Sequence, residues 1–208
     1  MDPGNVSAII SAFAVIGGVL AGTGLVWMKE WRIRQKKISQ DTTYLAIIVA
    51  SQLNRLASGC LDVSQDDGTT QGQPSGETGH HETTTVAPDF RPLELDVDWK
   101  LLPKELLYSI LRIPDQLDQL ARNISGIWDF EFDPPEHIEY FHARRRGYAL
   151  LGLQASEVAK KLLSYSGLPI EKPSEGEWSR DQCMENIICD IDAKRSAYLL
   201  RNAMQPDL

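Results

Sequence analysis

The densest run of chemically capable side chains is Glu136-His137-Ile138-Glu139-Tyr140-Phe141-His142-Ala143-Arg144-Arg145-Arg146. Glu139 and His142 stand three apart, so a helix places their carboxylate and imidazole on one face. Di-metal carboxylate bundles use this Glu-x-x-His unit on each of two helices, with a further Glu from two others. Only one predicted helix carries it here. Glu139 and His142 are therefore weak metal candidates beside the plainer reading of capping acids and surface imidazoles, and no cofactor is expected. The three arginines fan over roughly 200° of a helix, so they cannot all face one partner. Arg144, Arg145 and Arg146 are candidate anion contacts, with carboxylates of this acidic chain as the competing partners.

Other chemistry is thinner. His80-His81-Glu82 lies in a polar tract, a poor setting for a metal. Cys60, Cys183 and Cys189 fit no ligand signature, and an odd count without a framework suits a reducing compartment. Asp190 and Asp192 lean to different faces and form no acid–base couple. No Gly-x-Ser-x-Gly elbow, phosphate loop, dinucleotide fingerprint or His-Glu-x-x-His motif occurs. The residues give no positive sign of an enzyme.

The elements that position these residues begin with a membrane anchor. Val6 to Met28 is a run of 23 positions without a charge. As a helix it reaches roughly 34 Å, enough for a hydrocarbon core of about 30 Å. A cleaved signal would need a basic leader and a shorter apolar stretch, whereas residues 1–5 carry an acid and no base. Lys29, Arg32, Arg34, Lys36 and Lys37 crowd the other flank, so positive-inside orientation puts the N-terminus out and the remainder in the cytoplasm. Trp27 and Trp31 fall at headgroup depth, and the basic residues beside them suit anionic lipid. Ser7, Ser11, Ala14, Gly18 and Gly22 make a stripe of small residues, with Gly18 and Gly22 a literal GxxxG, which predicts a helix–helix contact with a protein partner or a second copy.

Beyond residue 37 the chain carries 16 Lys and Arg against 27 Asp and Glu, a net −11. Such a surface repels phosphate backbones and disfavours nucleic acid. Leu45, Ile48, Val49, Leu53, Leu56 and Cys60 recur at helical spacing, so the anchor is expected to continue through the basic segment 29–37 into a first bundle helix over 38–63. Residues 64–90, rich in Gly, Thr, Ser, Gln and acid, read as a flexible loop.

In the helical remainder, 91–208, residues 93–99 and 128–132 alternate apolar with acidic and read as extended lead-ins or a small ribbon. Between them a helix starts near Pro103, kinked or split at Pro114. Asp133-Pro134-Pro135-Glu136 reads as the start of a third helix that Gly167 and Pro169 end. Ser174 with Glu177 opens a last one, running to about Met204. The expected fold is all-α: a single N-terminal transmembrane helix continuing into a membrane-proximal antiparallel four-helix bundle. The expected role is a membrane-anchored interaction or scaffold module at the cytoplasmic face, in a bacterial inner membrane. An enzyme with an unrecognised, metal-dependent site and a structural subunit of a larger membrane complex are the alternatives.

Overall fold

The computed structural model describes residues 3–204 except 77, 131–132, 172–173 and 175, with side chains from Trp27 to Arg201. The chain is mostly helical. Helix α1 (Pro3–Gln65) runs without interruption from the apolar N-terminal sequence into the folded domain. Its residues 27–41 are all exposed, a stalk of roughly 22 Å at 1.5 Å per residue. From Leu45 onward the predicted stripe is buried except at Ile48, which is half-buried: Leu45, Val49, Leu53, Leu56 and Cys60 are at most 1% exposed, and Val63 extends the stripe by a turn.

Among the described residues, no helix is long and apolar enough to cross a membrane. The side chains of Val6 to Val26, which carry the anchor expectation and the small-residue stripe Ser7, Ser11, Ala14, Gly18 and Gly22, lie outside the described residues. Trp27, Lys29, Trp31, Arg32, Arg34, Lys36 and Lys37 lie on the exposed stalk.

Helices α2 (Lys104–Leu111) and α3 (Ile113–Phe130) are the two halves of the predicted second helix. The split falls at Arg112, two residues before Pro114, whose ring and missing N–H interrupt the hydrogen-bond ladder. Helix α4 (Ile138–Tyr165) and helix α5 (Arg180–Met204) complete the domain. Gly167, at φ +71°, ends α4. The Leu168 N–H donates back to the Leu163 carbonyl, a six-to-one closure that needs a left-handed residue.

Helix α4 is the centre. Gly152 packs against Ala57 and Cys60 of α1, Gly147 against Leu120 of α3, and Arg146 pairs with Asp192 of α5. Neighbours later in α4 pair earlier in the other helices: Gln154 with Gln116, and Ser156 with Asp181. Helices α1, α3 and α5 thus each run antiparallel to α4 and parallel to one another. This departs from the strict up-and-down bundle expected, because residues 66–103 carry the chain back along the domain before α2 begins. A return crossover makes successive helices parallel, whereas the short α3–α4 and α4–α5 links keep those pairs antiparallel.

Several predicted boundaries move. Residues 93–99 form no strand; two 3-10 turns, Pro92–Glu94 and Trp99–Leu101, lay Leu95, Val97 and Trp99 over the core. Trp128 to Phe130 belong to α3, because the alternation there also fits a helix's last turn; residues 131–132 lie outside the described residues. Helix α4 starts at Ile138 rather than beside Asp133, after a turn in which the Asp133 carboxylate accepts from the Ile138 N–H at 3.1 Å. Asp133 still caps the helix, but across a turn instead of as its N-cap residue. Ser174 and Glu177 hydrogen-bond each other in a turn that precedes α5. The N-terminal acceptor for α5 is Ser179, whose hydroxyl oxygen accepts from the Gln182 N–H.

Candidate functional site

At the end of the domain away from the stalk, the triple arginine resolves into three separate contacts. Arg144, only 5% exposed, donates from Nη1 to Asp66 at 2.7 Å and from Nη2 to the Thr85 carbonyl and hydroxyl. Arg145 donates from Nε to the Ser64 carbonyl at 2.9 Å, at the α1 C-terminus where the helix dipole favours a cation. Arg146 forks onto both oxygens of Asp192 at 2.7 and 3.0 Å. The fan implied by consecutive helical positions is therefore spent on internal acceptors. Each keeps donors beyond these bonds, since Arg145 uses one of its five N–H groups, Arg146 two and Arg144 three; the two left on Arg144 are taken up below.

Asp66 is the centre that sequence reasoning missed. Besides Arg144, its carboxylate accepts from the Gly68 N–H and from the N–H and hydroxyl of both Thr84 and Thr85, at 2.8 to 3.1 Å. Burial alone would raise this carboxyl, but the hydrogen bonds from Thr85, Gly68 and Thr84 together hold it well below the usual carboxylate range. The segment expected to be a flexible loop is thus bonded to the bundle through its polar side chains. Strands β1 (Thr69–Thr70) and β2 (Gln73–Pro74) form a small hairpin within it. The Ser75 hydroxyl lies within hydrogen-bond reach of the Gly68 and Glu82 carbonyls, and the His81 N–H donates to the Pro135 carbonyl. Further on, Pro88 lies against α1 where Gly59 leaves room. The one legible signal was Asp66 two residues before Gly68 at a helix end, an Asx-turn pattern.

Three of the four histidines, His80, His81 and His137, lie beside this junction, while His142 faces Lys194, Arg195 and Tyr198 of α5. His137, buried and at φ +49°, stacks between His80 and Trp128, with ring centroids at 5.9 and 4.5 Å. His81 meets the Phe141 ring and sets Nδ1 3.1 Å from the Asp67 carbonyl. His142 has a buried Nδ1 without a hydrogen-bond partner. Burial lowers its pKa, against the opposing pull of Glu139, so the neutral ring is favoured. Glu139 itself faces Arg195 at 3.4 Å. Among the described residues no group of three His, Cys, Asp or Glu side chains is placed to hold a metal.

Among the clefts beside α4, two are the roomiest in the described residues. One, about 570 Å³, opens between residues 81–87, α3 and α4, and is lined by Ile124, Trp128, Tyr140, Arg144, Tyr148 and the 81–87 segment among others. The other, about 1040 Å³, lies where α5 meets α1 and α4. Its wall holds a polar knot: Arg180 donates to the Asn54 carbonyl and side chain, to Ser58, to Ser156 and to Asp181. All five guanidinium N–H groups are used, so Arg180 pins α5 in place and leaves nothing for a ligand. Ser156 and Lys160 both donate to the same Asp181 oxygen, at 2.7 and 2.6 Å. Burial would raise that carboxyl, but the Lys160 and Ser156 hydrogen bonds lower it. Such an acid is too weak a base to activate the serine.

Cys60 is buried against this knot, its thiol pushed up to about 12 by burial despite Arg180. Cys189 is exposed and Cys183 half-buried. The chain matches no family model, no curated protein and no solved structure.

Proposed function

We propose that the protein is a single-pass membrane protein whose helical domain serves as an interaction module held at the cytoplasmic face. One observation carries this reading: α1 is a single helix from Pro3 to Gln65. It joins the uncharged sequence Val6–Met28, a bare basic stalk and the buried core stripe without a hinge residue such as proline. A partner engaging the domain would therefore be held at a fixed distance from the bilayer. The exposed Trp27 and Trp31 with five Lys and Arg supply the headgroup contact. Positive-inside bias at the same flank supports the cytoplasmic side for the domain. The small-residue stripe of the anchor is the proposed seat of a membrane-embedded partner or a second copy.

The test is to express the full chain in native membranes, extract with alkaline carbonate, and probe sealed vesicles with a protease. Retention in the pellet with a domain protected from outside is expected. Release by carbonate would sink the anchor. Mild-detergent purification then asks whether one protein co-elutes at a fixed ratio; a monomer without companions would refute the interaction role.

A further inference from the structure

The 570 Å³ cleft beside the Asp66–Arg144 junction is equipped with donors that no group among the described residues takes up. Tyr148 is 3% exposed and lines the cleft, yet its hydroxyl makes no hydrogen bond among the described residues, and the same holds for Tyr140. Burial raises both phenols, so each remains a neutral donor at physiological pH. Arg144 has five N–H donors. Its bonds to Asp66 and Thr85 occupy three, leaving Nε and one Nη1 hydrogen. The remaining walls include Ala87, Ala121, Ile124 and the Trp128 ring.

We propose that this cleft binds a small, ring-bearing molecule that presents an uncharged carbonyl, such as an aryl amide. The flat apolar walls suit a ring, and the convergent donors call for an acceptor. Charge decides which acceptor. Asp66, wholly buried in its side chain, already neutralises Arg144 at 2.7 Å. Asp66 stays ionised because its hydrogen bonds depress its pKa. A ligand carboxylate would be a second anion beside it, with Glu82 adding a third charge at the rim. A ligand cation would lose its water beside the Arg144 guanidinium, with the Glu82 carboxylate only at the rim and the phenol oxygens as weak acceptors. The neutral carbonyl avoids both penalties. This site is independent of the membrane reading, since it lies within the folded domain at the far end from the stalk.

The experiment is calorimetric titration of the purified full-length protein with phenylacetamide, phenylacetate and benzylamine, which share a ring and differ in charge. Saturable binding is expected for phenylacetamide alone. Tyr148→Phe removes one donor and should weaken it about three- to tenfold. Ala121→Trp, at an exposed position on α3, fills the cleft and should abolish binding while the far-UV spectrum and melting temperature hold. Equal or tighter binding of phenylacetate or benzylamine would overturn the charge argument. Absence of saturable heat for phenylacetamide up to about 10 mM, a level that marks negligible affinity, or undiminished binding by Ala121→Trp, would overturn the site.

Discussion

The Asp66–Arg144 pair should be asymmetric: removing the acid costs more than removing the base. Asp66→Leu deletes an acceptor that serves six donors, three of them backbone N–H groups of Gly68, Thr84 and Thr85 that cannot turn elsewhere. It also strands the 5%-exposed Arg144 charge. An unpaired buried cation costs about 3–5 kcal/mol and three orphaned N–H groups add about 1 kcal/mol each, a loss of about 6–8 kcal/mol while the segment stays in place. Arg144→Met keeps the stem and leaves the carboxylate with five of its six donors. That variant should lose only about 1–3 kcal/mol, the worth of a charged hydrogen bond. Urea denaturation of the full-length protein in detergent measures both. Cleavage by a glutamate-specific protease at the exposed Glu82 separates loop release from global unfolding, and Asp66→Leu should be cut in native buffer while its core helices stay folded. Equal losses for the two variants, or an Asp66→Leu variant as stable and as protease-resistant as the parent, would refute the claim that this carboxylate fastens the segment.

Acid should reproduce that lesion. The folded-state pKa of Asp66 lies below its unfolded value, so its stabilisation is complete above about pH 4 and is lost as pH falls below that toward the folded pKa. The melting temperature of the parent should drop across that window, with a shallower drop for Asp66→Leu. Two helix glycines should respond oppositely to alanine. At Gly152 a Cβ would lie 2.5 Å from Met184 Sδ and 2.8 Å from Cys60 Cβ, an overpacking that costs about 1–3 kcal/mol where α1, α4 and α5 meet. At Gly147 the clash is with the mobile end of Leu120, so a gain in helix propensity of up to about 1 kcal/mol can prevail; thermal melts of both variants decide it. Thiol labelling under native conditions should modify Cys189 readily and leave Cys60 untouched until urea unfolds the core, and rapid Cys60 labelling would contradict its burial and raised pKa.

Much of the helical architecture was legible because it is periodic. A 3.6-residue stripe tells which face is buried wherever one helix meets a core, and so Leu45 to Cys60 and the end of α4 at Gly167 could be read from the chain alone. Proline marked the α2–α3 break for the same local reason, a missing donor and a clashing ring. Local signals misled where two geometries fit one pattern: Trp128 to Phe130 alternate like a strand yet finish a helix, and the acid at 133 caps from a turn away.

What the sequence by itself determined, then, was composition and local periodicity: an uncharged N-terminal run, a basic flank, an acidic helical remainder and the faces its helices bury. Tertiary structure alone decided where the long polar segment goes and what the arginines do. Asp66, Thr84, Thr85 and Arg144 are separated by up to 78 positions, and nothing in a linear pattern records which donor will meet which acceptor. Their pairing exists only once α4 lies antiparallel to α1 and sets Arg144 beside the end of α1. The same packing encloses Tyr148 and leaves its hydroxyl, among the described residues, without a hydrogen bond at the edge of a cleft.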